Sequence, residues 1–325
     1  MNVRRILARV AALVGCAAAG AAHGEAFPAR MVRIVVPFTA GGLADVVARG
    51  VAQELTTRWS QPVIVENKPG ANTIIAAEHV ARAAPDGYTL LMANDPTLSS
   101  NQYLYRKLSY DPVKDFVPVV NLVQTREILL ASRKSGLASV EALVARAKAR
   151  PGEVTYGSYG VGSKAQLDAE TFSSLAGIRL NHVPYKGVAD VMAALVGGQI
   201  DVAWVGVPPA IPMVEGDKVR LLAVAAPRRI TAFPAAPTFA ELGFPKMVSQ
   251  AWFGLVAPRD TPDGIVGRIA ADVSAVVSQP AFLDKYVTGV GLEPLNQGPE
   301  EFGRFLARDR AEYETSIRNA KVKLD

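Results

Sequence analysis

The sequence predicts an α/β fold with mostly parallel sheets, and three observations predict it. Short β-branched runs alternate with segments of helical spacing. The alternation falls into two successive blocks of similar size, each opening as strand, glycine loop, helix. The chain has 325 residues, 50% of them hydrophobic, enough for one or two domains with sizeable cores.

In the first block, "VRIVV" (32–36) reads as a strand and residues 44–59 carry helical spacing. "VIVEN" (63–67) is a strand followed by the turn "KPGAN"; residues 74–84 are helical and stop at Pro85. "YTLLMA" (88–93) is a third strand, leading into the polar loop "NDPTLSSNQ". "FVPVVNLV" and "EILLAS" are two further extended runs. In the second block, Ser139 is placed to cap "VEALVARAKAR", which Pro151 closes. "EVTYGS" is a strand, "YGVGS" a loop, and a helix runs from about Lys164 to Leu175. "LNHVPY", "IDVAWVG", "VRLLAVAA" and "AWFGLVAP" are strands, with the helix "VADVMAALVGG" between the first two. Thr261 and Pro262 suit the N-cap and first position of a helix over 262–279, and a charged helix from Pro299 ends the chain. No Gly/Ser linker separates the blocks, so they are expected to join through extended segments near 121–128 and 248–254.

Residues 1–24 read as an export signal. Arg4, Arg5 and Arg9 form its basic region, a short apolar run follows, and "AHG" offers a cleavage site. "LVGC" resembles a lipobox ending at Cys16, but only six apolar residues separate Arg9 from Cys16, so soluble export is favoured over a lipid anchor. Without this segment the formal net charge falls from +5 to +2, and no block of Lys/Arg suggests nucleic acid as a partner. Cys16 is the only cysteine, so the exported chain has no disulfide, thiolate nucleophile or cysteine metal ligand. Only His79 and His182 remain, far apart, which supplies a catalytic triad or zinc site poorly; His79 is expected to be structural.

The candidate chemistry lies in two glycine loops, "PFTAGG" and "GSYGVGS", each between a strand and a helix. A helix N-terminus has N–H groups without intrahelical partners and a partial positive charge, and glycine lets a ligand approach the backbone. Glycines after a strand also make plain turns, but one such loop in each block points to an anion site. Charge-assisted bonds of roughly 1.5–3 kcal/mol each can hold a carboxylate without arginine. A Walker motif is absent. Gly160, Gly162 and Ala165 fit G-x-G-x-x-A, but no acidic residue ends the next strand to hold a ribose, so no dinucleotide is expected, nor any other cofactor. Asp45, in the first turn of its helix, reads as a capping residue, and Asp201 as a turn residue. No residue pair forces an acid–base reading.

From Ala29 to its end, the chain resembles the exported solute receptors of tripartite tricarboxylate transporters, the Bug-type receptors. The likeness rests on "IVVPFTAGGLADVVAR", "QPVIVENKPGA", "APDGYTLLMA", "LYRKLSYDPVKDFVPV", "VTYGSYGVGS", "HVPYKGVADVMAALVGGQID" and "AWFGLVAP". It implies a type II periplasmic-binding-protein fold. Two α/β domains, residues 27–125 plus 252–325 and residues 126–251, would close on a ligand. It further implies a small carboxylate ligand, two integral membrane transporter subunits as partners, and a periplasmic, non-enzymatic role. By resemblance Phe38, Thr39, Ala40, Gly41 and Gly42 make the first contact and Ser158, Gly160, Gly162 and Ser163 the second, with Thr97 and Tyr185 lining the cleft. Three departures stand out: Leu43–Ala44 replaces a small polar pair, Gln166 a histidine, and Val205 and Gly206 an Asp and an Asn. They lead to the expectation of a ligand less polar than citrate or aspartate, an aromatic or short aliphatic acid. A sensor for a membrane kinase and an exported enzyme acting on a carboxylic acid are the competing classes.

Overall fold

The computed structural model describes residues 27–320, so the export-signal reading and Cys16 fall outside the described residues. Strand β1 (Val32–Val36) precedes the first glycine loop and helix α1 (Leu43–Trp59), and β2 (Val63–Asn67) follows. Next come α2 (Ile74–Ala81), β3 (Thr89–Asn94), the short α3 (Asn101–Leu104) and β4 (Phe116–Ser132). The second alternation is α4 (Val140–Ala149), β5 (Thr155–Ser158), α5 (Lys164–Ala176), β6 (Asn181–Pro184), α6 (Val188–Gly197), β7 (Val202–Gly206), α7 (Val207–Glu215) and β8 (Val219–Val224). The chain ends through β9 (Gln250–Pro258), α8 (Asp263–Val277), α9 (Pro280–Tyr286), β10 (Glu293–Gln297) and α10 (Pro299–Ala320).

The strands pair in the order β2-β1-β3-β9-β4-β7-β5-β6, with β8 and β10 also on β4. β1 is parallel to β2 and β3, and β5 is parallel to β6 and β7, as βαβ crossovers require. β9 and β4 run antiparallel to their neighbours. The two extended runs expected over 116–132 are one strand of 17 residues. Polar Gln124, Thr125 and Arg126 interrupt the apolar pattern where the strand leaves one sheet for the other. Arg126 is paired with Gln250 of β9, and Glu127 with Gly206 of β7.

Apolar alternation fills a core on each face of each half. Val32, Ile34 and Val36 pack with α1 and α8, while Val35 faces α2, Trp252 and Phe302. In the second half, Leu129 and Ala131 of β4 face α4 and α5, and Ile128 and Leu130 face α6 and α7. Asp272 of α8 binds Arg58 and Trp59 at the end of α1, 2.6 and 2.7 Å away, joining segments more than 200 residues apart. Helix α5 lies against α10: Leu167 packs with Leu104, Tyr313 and Ile317.

Two local expectations are corrected. Pro262, not Thr261, is the N-cap of α8; the Thr261 hydroxyl instead donates to the Pro258 carbonyl at 2.8 Å. Helix α7 has no counterpart among the expected elements, because Pro208, Pro209 and Pro212 mask it. The first two occupy its opening turn, where a missing N–H costs no helix bond.

Candidate functional site

Each glycine loop stands at the C-terminal end of a parallel strand, where open α/β sheets place their ligand crevice. In the first, Gly41 takes φ +86°, a left-handed backbone that suits glycine, and Gly42 is the N-cap of α1 without a side-chain cap. The Gly41 N–H donates to Asp45 Oδ2 at 2.9 Å. Arg49 Nε donates to the same oxygen at 2.8 Å, and Asn67 Nδ2 bridges Asp45 Oδ1 and the Phe38 carbonyl at 2.8 and 3.0 Å. Burial pushes the Asp45 carboxyl up, but bonds from Arg49, the Gly41 amide and Asn67 outweigh it and hold it below the usual range. Thr39, Ala40, Gly41 and Gly42 remain exposed, and Phe38 is half-buried with its ring edge-on to Phe253. The structural, capping reading of Asp45 agrees with these bonds; nothing in "VIVEN" marks the reach of Asn67.

The second loop repeats the device. Gly162 takes φ +77°, Ser163 is the N-cap of α5, and the Gly162 N–H donates to Gln166 Oε1 at 2.7 Å. In both loops a side chain at the third helical position holds the N–H of the glycine before the cap. The Ser158 hydroxyl is buried inside this loop, donating to the Gly160 carbonyl at 2.9 Å and lying 2.6 Å from His182 Nε2. His182 stacks on Tyr156, and burial lowers its pKa.

The remaining site residues divide. Thr97 is fully buried, its hydroxyl bonded to Asn94 and Thr73 and its carbonyl accepting from Tyr110. Tyr185 is half-buried against the α6–α7 core, with its N–H on the Ser158 carbonyl. Leu43 is half-buried and packs against the α1 core. Val205 corrects an expectation: it is fully buried and paired with Ile128 in the α6–α7 core. Strand alternation turns its side chain inward, so its apolar character reflects the core. His79 is exposed, and Asp201 Oδ2 accepts from the Thr155 N–H and hydroxyl at 2.8 and 2.9 Å, as a strand-end residue does.

A buried acidic cluster lies where the halves meet. Asp95 ends β3, Glu127 sits at the crossing point of β4, Asp168 is on α5 and Asp309 on α10; all are at most 5% exposed. Lys164 Nζ is 3.2 Å from Asp168 Oδ1 and 4.9 Å from the centre of the Tyr313 ring. Tyr313 donates to Asp95 at 2.6 Å, Ser249 to Asp168 at 2.5 Å, and Ser99 and Trp252 to Asp309. Burial pushes Asp95 up to about 7, with Asp309 adding to the rise. Burial would lower Lys164, but Asp168, Asp95 and Asp309 outweigh it and raise it. Four positions scattered from 95 to 309 carry no spacing signal, so the sequence alone does not reveal them. Among the described residues, no group of three or more His, Cys, Asp and Glu is arranged for a metal ion, and no helix is long and apolar enough to cross a membrane.

Comparison with known proteins bears on these loops. Residues 47–321 match the model of the tripartite tricarboxylate transporter family receptor, TctC. The chain is 32% identical to the protein BugT of Bordetella pertussis over 326 residues, all of both chains. It superposes on R. palustris Rpa4515, solved with adipate, at TM-score 0.84 and 32% identity, covering 91% of this chain and 99% of that one. MatC from Rhodopseudomonas palustris, with bound malate, gives TM-score 0.79 and 32% identity over 90% of this chain and 100% of that one. Likeness across nearly the whole length, on one architecture, places this chain in the tripartite tricarboxylate transporter receptor family, among the Bug proteins.

Proposed function

We propose that the chain is a periplasmic receptor that takes a small carboxylate between its two halves and delivers it to two integral membrane transporter subunits. The observation that supports this reading is the matched pair of glycine loops, each an open helix N-terminus braced from behind by a side chain. Phe38, Thr39, Ala40, Gly41 and Gly42 form one jaw; Gly160, Gly162, Ser163 and Gln166 form the other. Ser158, Thr97 and Tyr185 act by holding the loops in shape. The closing units are residues 27–125 with 252–325, and residues 126–251, hinged where β4 and β9 pass between the sheets. Ligand bridging both jaws favours the closed state, with waters completing the carboxylate's hydrogen bonds. Adipate and malate in neighbouring structures fit the carboxylate class. Ser158 and His182 lie in hydrogen-bond contact, but the Ser158 hydroxyl is fully buried and bonded to the Gly160 carbonyl, and in this reading the acid is carried and released unchanged. Val205, in the core, gives no support to a less polar ligand, and Leu43 packs on the core as well, so the proposal is not restricted to apolar acids.

A thermal-shift panel of malate, adipate, citrate and benzoate, with glucose as a neutral control, tests this. At a hundredfold excess over Kd a ligand adds about 2.7 kcal/mol, several degrees for a protein of this size. At least one acid is expected to stabilise the protein and remain intact by NMR. Stabilisation by glucose alone, or turnover of the acid, would overturn the reading.

A further inference from the structure

Helix α4 lies outside both glycine loops and carries a pattern that its own core does not use. Val140, Leu143 and Ala147 turn into the core beneath it. Beside them Glu141, Val144, Ala145 and Lys148 fall at i, i+3, i+4 and i+7, one continuous stripe along the helix. This stripe is one wall of a surface groove of about 380 Å³, and Leu242 and Phe244 make the other. The second wall is held in shape. Gly243 takes φ +89°, the Phe244 N–H donates to the Phe239 carbonyl at 2.8 Å, and the Phe244 ring centre stands 5.3 Å from that of Phe172 on α5. Val144, Leu242 and Phe244 are half-buried and Ala145 is exposed, so apolar surface stays open to solvent along the groove. The charges at its two ends are uncommitted. Elsewhere on α4, Arg146 donates to the Ser135 carbonyl and Arg150 pairs with Glu153. Glu141 bonds Ser139 and its own backbone amide, and among the described residues neither it nor Lys148 has an ion-pair partner.

The order of the stripe, acid, apolar, apolar, base, is complementary to its own reverse. Two copies of α4 laid antiparallel, with a two-fold axis between Val144 and Ala145, bring Glu141 of each copy opposite Lys148 of the other. The two charges are about 10 Å apart along the helix axis, so both opposite-charge pairs form in one register. The short Ala145 side chain at the axis lets the helices approach, and the second helix covers the apolar surface that Leu242 and Phe244 leave open. A parallel arrangement would set Glu141 against Glu141 and Lys148 against Lys148, so charge selects one orientation. We propose that the protein self-associates through this face as an antiparallel, two-fold dimer. One helix and one turn from each copy make a contact at the small end of specific interfaces, below about 1,200 Å² in total, so the dimer is weak and exchanges with monomer. No residue of the stripe or the wall belongs to the cleft, so the proposal stands apart from the receptor reading.

Sedimentation velocity over about 5 to 500 µM protein tests it. The mean mass is expected to rise with concentration towards that of a dimer. Glu141→Lys and Lys148→Glu each set like charges at both contacts, and each should weaken association tenfold or more. An equimolar mixture of these two variants restores both opposite-charge pairs and should recover association to within threefold of the parent. The double variant Glu141→Lys/Lys148→Glu should recover it equally. A protein that stays monomeric through the whole range would overturn the proposal. Dimers that persist undiminished in both single variants would place the contact on another surface and overturn it too. So would a mixture of folded variants that associates no better than its components. The wild-type series needs no variant to fold, and a melting curve checks each substitution before mixing.

Discussion

Asp45 shows how one side chain sets the shape of a glycine loop. It takes the Gly41 amide, Arg49 and Asn67 on two oxygens, so replacing it frees three donors at once. Asp45→Ala is expected to lower stability by about 2 kcal/mol in urea unfolding and to weaken carboxylate binding at least tenfold, because the first jaw is no longer braced. Its folded pKa lies below 3.8, so its contribution is present above that value and fades as pH falls through the folded pKa. Asp95 works in the opposite sense. Its carboxyl rises from 3.8 to about 7, so the folded state holds a proton that the unfolded chain gives up. Stability therefore falls as pH rises through that window, by on the order of 4 kcal/mol for this group alone. Melting temperatures of the unliganded protein should drop between pH 4 and pH 8, and Asp95→Asn should flatten the slope. An unchanged slope would place the titration elsewhere in the cluster. At this scale the glycine loops and the bracing role of Asp45 were legible, because strand, glycine pair and acidic first turn are contiguous. Asn67, Glu127 and Asp95 were not, because their partners come from elements far away in the chain. Val205 misled for a related reason: a change of polarity shows in a sequence, while the face of the strand it occupies depends on pairing with Ile128.

Among the elements, the contact between α5 and α10 ties the second jaw to the other half of the molecule. Leu167, buried against Tyr313 and Ile317, follows the helix turn that begins at the Ser163 cap. Leu143 on α4 is equally buried but lies within the core of one half. Each Leu→Ala change should cost about 2–5 kcal/mol of stability. If the halves separate on opening, only Leu167→Ala should also weaken ligand binding, by tenfold or more, with Leu143→Ala within twofold of the parent. Equal effects would show that the seam stays closed in the free protein. Most elements were legible from period and caps; Ser139 and Ser163 cap α4 and α5 through their hydroxyls. Helix α7 was hidden by its prolines. The unity of β4 was hidden by the polar residues at its crossing point, where neither sheet asks for an apolar side chain.

For the whole molecule, two parallel βαβ units are welded by antiparallel β4 and β9, which alone carry the main strand order from one half to the other. The composition and alternation were enough to predict this class, since 50% hydrophobic residues in short alternating runs must be covered by helices on both faces. What they could not predict is the charged seam, because its energy depends on which buried groups meet. In the proposed mechanism one ligand carboxylate is held by the backbone of both glycine loops. The sharpest test is a crystal structure of the protein grown with the acid that stabilises it best. Carboxylate oxygens are expected within hydrogen-bond distance of amides from residues 39–43 and 160–164. A ligand seated elsewhere, such as the surface groove lined by Val140, Val144 and Phe244, with both loops empty, would refute that mechanism.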